Sequence, residues 1–216
     1  LAPDHVTSVP TGIRPDVFAP GDRGAARREL GLPESGLFVG IVATLRSWKG
    51  HRYLIDAFAR LGRDDATLII VGDGPQREAL ERQVLDAGLV PRVRFAGDRR
   101  DVAPWFRALD VFALPSYANE GVPQALVQAM MTGLACVTTA AGAIPEIARD
   151  GETALVVPSE DAEALAAAIA RFADDAALRA RLGAAAREYC VAHHSYDAML
   201  AKMEAVFARA CAVRSA

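Results

Sequence analysis

Short apolar runs, each followed by a segment of helical periodicity, restrict the fold of this chain more than any other feature. Leu37–Thr44 reads as a continuous apolar run. A half-exposed strand would alternate, so this pattern belongs to a strand covered on both faces. His51–Leu61 follows with Tyr53, Leu54, Ala57, Phe58 and Leu61 at helical spacing. The same order then repeats. Thr67–Val71 is a strand broken by Gly72-Asp73-Gly74-Pro75, and Pro75 suits the first position of a helix that runs to about Ala87. Arg92–Ala96 is a strand ended by Gly97, and Asp101 can cap a short helix over Val102–Leu109. Asp110–Leu114 is a strand stopped by Pro115; Pro123 opens a helix that ends near Gly133. Ala135–Thr138 is a strand, Ile144–Arg149 a helical piece and Ala154–Val157 a final strand. Ala-rich helices fill Asp161–Phe172, Asp175–Ala192 and Tyr196–Ala212, and His5–Val9 can add one more strand at the start. Strands separated by helices pair in parallel through right-handed crossovers. The expected fold is therefore α/β, a Rossmann-like doubly wound parallel sheet. Ligands of such sheets sit beyond the carboxyl ends of the strands. The loops after Thr44, Val71, Ala96, Leu114 and Thr138 carry the interest.

Composition narrows the class. The 216 residues suit one domain, and 52% hydrophobic content argues against disorder. A formal charge of −3 with dispersed arginines does not fit a nucleic-acid binder. The three cysteines, Cys136, Cys190 and Cys211, match no metal spacing and read as buried, reduced thiols. His51 reads as a surface or loop contact, and His193 and His194 fall between the last helices without zinc spacing. No metal and no cofactor is expected. No apolar run reaches the length of a bilayer, and Leu1–His5 is not a signal peptide. The missing initial Met suggests a chain that begins inside a longer protein.

Each loop has a chemical and a bland reading. In Thr44–Gly50, Arg46 and Lys49 stand beside a helix N-terminus, a favourable place for a diphosphate; both can equally be solvated surface cations. Gly72–Pro75 is no dinucleotide fingerprint, and a tight turn explains it. Gly97–Asp101 can offer backbone groups to a base, or be a charged turn. The segment Asn119–Gly133 is the most informative. Glu120 precedes a helix, Gly121 permits close approach of a ligand, and Gln124 and Gln128 share one face a turn apart. Such a group can bind sugar hydroxyls, phosphate and ribose together; alternatively Glu120 only stabilises the helix end, and the glutamines are surface residues. In Ala140–Glu146 a second helix start can face the same cleft, with Glu146 as a helix-start charge.

Taken in order, these pieces resemble the C-terminal domain of GT-B-fold glycosyltransferases of the retaining family 4 type, the group 1 glycosyl transferases. The resemblance runs from Val9–Ile13 to the last helices. It rests on Lys49-Gly50, Val71–Pro75, Val93–Gly97, the Glu120-to-Gln128 segment, Ile144–Ile147 and Asp150–Ala154. It implies one donor-binding domain over residues 1–216, with 1–14 as interdomain linker or first strand and 194–216 as C-terminal helix. An N-terminal acceptor domain would be absent. The implied partner is a nucleoside-diphosphate sugar of UDP or GDP type, and the implied setting is cytoplasmic, at the inner face of the cell membrane, in bacterial polysaccharide or glycolipid synthesis. Lys49 would bind the donor diphosphate, Arg99 the base through its backbone, and Glu120, the catalytic candidate, a donor-sugar hydroxyl. Gly121, Val122, Pro123 and Gln124 would face sugar and phosphate, and Gln128 the ribose. The chain departs from the family pattern at three places. Gln128 replaces a glutamate, Pro123 a glycine, and Thr44 an arginine five residues before Lys49, for which Arg46 would substitute. The fragment alone would bind donor weakly and transfer nothing. Other readings are a nucleotide-sugar epimerase, a phosphorylase, or a non-catalytic nucleotide-binding scaffold.

Overall fold

A computed structural model describes residues 6–214. The apolar runs become strands: β1 (Leu37–Val42), β2 (Ala66–Val71), β3 (Val93–Gly97), β4 (Val111–Leu114), β5 (Ala135–Thr138) and β6 (Leu155–Val156). They form one sheet in the order β3-β2-β1-β4-β5-β6, with every neighbouring pair parallel. β4 and β5 are buried at every position, as continuous apolar strands under helices on both faces must be. The direction of strand addition reverses between β1 and β4, which opens a crevice there at the carboxyl edge.

Helices α1 (Arg23–Glu29), α2 (His51–Leu61), α3 (Arg77–Asp86), α4 (Ala103–Ala108), α5 (Gln124–Met131), α6 (Ala162–Asp174), α7 (Ala176–His194) and α8 (Tyr196–Arg214) complete the domain. α2 packs on α6, and α5 on α7. Asp161 and Asp175 cap α6 and α7 by accepting from Ala164 N and Leu178 N at 2.9 and 2.8 Å. Asp101 accepts from Ala103 N at 3.1 Å, as expected for the start of α4.

Several expectations change. Pro75 does not open α3: it sits in a turn pinned by Gln76 N donating to Leu45 O at 3.1 Å, and the helix starts at Arg77. Pro123 precedes α5 as its N-cap residue. Ile144–Arg149 shortens to a 3₁₀ turn over Ile144–Glu146, and the last strand to Leu155–Val156. α7 continues through His193 and His194, so they are not interhelical. Residues 6–9 form no strand, and His5 lies outside the described residues. α1 had no apolar periodicity to announce it. Its buried positions are Ala26 and Arg27, and Arg27 enters the core as an ion, 2.8 Å from Asp110, which also accepts from Phe38 N at 2.7 Å. Cys136 and Cys190 are buried but Cys211 is exposed. Burial pushes the Cys190 thiol up to about 12 and raises that of Cys136, so both stay protonated and inert.

Candidate functional site

The loops at the carboxyl edge interlock before any side chain is considered. Gly50 and Gly72 occupy left-handed or neighbouring positive-φ conformations, at 75° and 129°. A Cβ at Gly50 would lie 2.0 Å from Pro115 O, and one at Gly72 would lie 2.1 Å from Ala43 O. Tyr117 N donates to Trp48 O at 2.9 Å, joining the loop after β4 to that after β1. Ala143 N donates to Glu120 O at 3.1 Å, joining it to the loop after β5. At Gly142 the φ is 57° and a Cβ would lie 2.0 Å from the same Glu120 oxygen. Only glycine leaves room there.

This frame fixes Glu120 beside the loop after β1, at the β1/β4 switch point. Asn119, at φ 57°, makes the turn that precedes it, a conformation asparagine tolerates better than most residues. The Glu120 side chain is only 4% exposed, and its Oε1 accepts from Lys49 Nζ at 2.7 Å and from Ser116 Oγ at 2.6 Å. Ser116 is itself held by the hydroxyl of Thr139, which donates to its carbonyl. A carboxylate thus meets an ammonium across the switch point, each donated by a different loop.

Directly after Glu120 the chain enters α5 with no side-chain cap. Pro123 has no N–H to offer, so the free amides of this end come from its neighbours. A Cβ at Gly121 would meet nothing within 4 Å, so protein packing does not require glycine there. Gln124 is exposed and Gln128 half-buried one turn further on. Of the expected site residues, the structure pairs Lys49 with Glu120; Gly121, Val122, Pro123 and Gln124 follow Glu120 into the start of α5, where Pro123 is buried, and Gln128 lies one turn further along the helix.

Arg99 and Arg46 stand apart from that pair. Arg99 lines a cavity of about 400 Å³ with Thr44, Gly72, Asp73 and Asp98, beyond the ends of β1, β2 and β3. Its guanidinium is turned away: Nε donates to Ala96 O at 2.8 Å and the group lies 5.6 Å from the Trp105 ring centre. Arg46 rests 5.8 Å over the Trp48 ring and borders a different, smaller cavity. His51 is no surface contact. It is 2% exposed, and burial, then the charge of Lys49, pushes its pKa down to about 4. Sequence reasoning missed Ser116, Thr139 and Gly142. The available signal was proximity: Ser116 lies four residues before Glu120, and Gly142 is the glycine of the fifth loop.

Comparison with known proteins finds relatives in sequence and in fold. The sequence profile described as Glycosyl transferases group 1 matches residues 36–175. The D-inositol 3-phosphate glycosyltransferase of Stackebrandtia nassauensis is 32% identical over 98% of this chain and 52% of its own length. The lipopolysaccharide core biosynthesis mannosyltransferase LpsB of Rhizobium meliloti is 35% identical over 77% of this chain and 49% of its own. Among solved structures, Anabaena HepE in complex with UDP superposes with a TM-score of 0.86 at 25% identity, covering 92% of this chain and 56% of HepE. The chain spans about half the length of these relatives.

Proposed function

The chain belongs to the glycosyl transferases group 1 family, and on that premise we propose that it is the donor-binding half of a retaining glycosyltransferase that uses a UDP- or GDP-sugar. The observation that carries this reading is the Lys49–Glu120 pair, 2.7 Å long, set across the β1/β4 crevice at the open end of α5. Nucleoside diphosphates suit such a place, since free helix amides and a fixed ammonium both favour a doubly charged group. When donor enters, Lys49 exchanges part of its contact with Glu120 for the diphosphate, and Arg46 swings in from the same loop. Glu120, held by Ser116, then accepts from a hydroxyl of the donor sugar. Gly121, Val122, Pro123 and Gln124 border the sugar and phosphate, and Gln128 meets the ribose as a neutral donor and acceptor. The base lies in the cavity beside the Arg99 backbone.

In this reading the departing nucleoside diphosphate is stabilised by Lys49, Arg46 and the α5 terminus, without a bound metal. Charges fixed in advance, where charge develops, do most of the work in such reactions. The relatives are twice as long, which supports an acceptor site on a second domain. The name of the Rhizobium meliloti relative, a lipopolysaccharide core mannosyltransferase, supports a role in bacterial polysaccharide or glycolipid synthesis; among the described residues no helix is long and apolar enough to cross a membrane.

The test is a titration of the isotopically labelled chain with UDP, GDP and their sugars. Signals of Lys49, Glu120 and the Arg99 backbone should move together and saturate; if saturating nucleotide leaves all of them in place, the donor site is elsewhere. In the full-length protein Glu120→Ala and Lys49→Ala should each abolish transfer. Gln128 and Thr44 favour a second reading, a scaffold that kept the fold. Absence of transfer from every donor by the intact full-length protein would support it.

A further inference from the structure

Glu120 offers its two carboxylate oxygens unequally. Oε1 accepts from both Lys49 Nζ and Ser116 Oγ, at 2.7 and 2.6 Å. Among the described residues Oε2 has no hydrogen-bond partner, yet it is not one of the buried atoms left unsatisfied, so it is the oxygen that the surroundings leave open. The two donors on Oε1 differ in kind. Lys49 is a long, flexible side chain that keeps 20% of its surface exposed. Ser116 is fully buried, and its hydroxyl sits on a one-carbon arm, so backbone alone decides where it points.

That backbone is held by side chains that prolong the sheet. Main-chain pairing of β4 with β5 ends at Leu114 and Thr138. Pro115 comes next and has no N–H to donate. Two threonine hydroxyls take over the ladder: Thr138 Oγ1 donates to Leu114 O at 2.9 Å, and Thr139 Oγ1 donates to Ser116 O. Ala141 N donates to Thr139 Oγ1 at 3.4 Å, which directs that hydroxyl's own proton toward Ser116. Both threonines are fully buried. A satisfied buried network of this kind rigidifies one geometry. It forms an arm from the end of β5 through Ser116 to a single oxygen of Glu120.

We propose that Ser116 and Thr139 are positioning residues that make the site read the sugar of a nucleoside-diphosphate sugar separately from its nucleotide. The inference rests on the donor reading. There Lys49 turns partly to the diphosphate when donor binds, so Glu120 loses one of its two holds as it meets a sugar hydroxyl. The Ser116 arm does not depend on Lys49 and stays in place. It keeps the carboxylate plane set with Oε2 outward, and a preset acceptor takes a hydroxyl without first losing rotamer freedom. Ser116 and Thr139 touch no donor atom in this scheme; they act through Glu120 alone.

The experiment is calorimetric titration of the native chain and four variants with UDP, UDP-glucose, GDP and GDP-mannose. The readout is the Kd of each sugar nucleotide divided by the Kd of its own diphosphate, taken within one variant, so that a loss of folded protein cancels. Ser116→Ala should raise this ratio about tenfold, the order expected for one hydrogen bond to a charged group, while the diphosphate Kd stays within about twofold. Thr139→Val, which keeps the branched shape and removes the hydroxyl, should raise the ratio in the same direction. Ser116→Thr and Thr139→Ser keep the hydroxyls and should return the ratio toward the native value. The inference is overturned if Ser116→Ala and Thr139→Val leave the ratio unchanged. It is also overturned if sugar nucleotide and diphosphate weaken equally, since the arm would then shape the whole site and not the sugar contact. A ratio that moves in Ser116→Ala but not in Thr139→Val removes Thr139 from the arm. These outcomes leave the donor reading standing; a native chain that binds none of the four ligands overturns the donor reading and this inference with it.

Discussion

Glu120 is fixed at its backbone by Ala143 and at its carboxylate by Lys49 and Ser116. Breaking one side of a nearly buried pair strands the other charge, which usually costs more than the pair contributes. Lys49→Ala should therefore destabilise by about 2–3 kcal/mol, toward the low side because Lys49 keeps 20% of its side chain exposed. The double variant Lys49→Ala/Glu120→Ala should lose less than the sum of the two singles. Urea melts of the three variants test this, and strict additivity would show the pair is not coupled. His51 gives a second residue-scale expectation. Its folded-state value of about 4 lies below the ordinary 6.5. The unfolded state therefore binds the proton first as pH falls, and stability drops between pH 6.5 and 4. The full loss is about 3 kcal/mol at about 1.4 kcal/mol per pH unit. Stability measured in phosphate-free buffer across that window should fall steeply in the native protein and flatten in His51→Phe; parallel curves would remove His51 as the cause.

At the scale of elements, one helix contact inverts a familiar rule. Gly183 lies inside α7, where alanine is normally favoured by about 1 kcal/mol. Here a Cβ would lie 2.2 Å from Gly133 O, at the end of α5. Overpacking against backbone costs roughly 1–3 kcal/mol, so the contact wins over propensity. Gly183→Ala should lower the melting temperature by several degrees, and a rise would show that α7 can slide away from α5. The same elements show what sequence can carry. The strands were legible because burial on both faces writes itself as an unbroken apolar run, and the order of strands and helices then limits the topology. α1 was not, because it buries Arg27 against Asp110 and no periodicity encodes an ion pair between residues 83 positions apart. The site was legible at Lys49 and Glu120, whose types and loops are local facts. That they touch was not, nor was the role of Ser116, Thr139 and Gly142, since these depend on three loops meeting at one edge. His51 misled for a related reason: its position at a helix start says exposed, and only the packing of neighbouring loops says buried.

At the scale of the whole molecule, the donor reading makes binding and transfer separable. UDP at about a hundred times its dissociation constant should stabilise the chain by about 2.7 kcal/mol. At about 2–4 °C per kcal/mol for a domain of this size, the melting temperature should rise by roughly 5–10 °C. No sugar should reach an acceptor until the other half of the enzyme is supplied. A chain that melts at one temperature with and without every nucleotide would contradict the first statement, and transfer by the isolated chain the second. The interlocked carboxyl-edge loops carry one more consequence. Several of their mutual contacts are between main-chain atoms, at positions where Gly50, Gly72 and Gly142 leave no room for a Cβ, so much of the shape of this edge is set by backbone rather than by side chains. Such a mould can be inherited while its lining is rewritten. Substitutions in that lining, at Thr44 or Gln128 for example, can then change what the edge holds without changing how the chain folds.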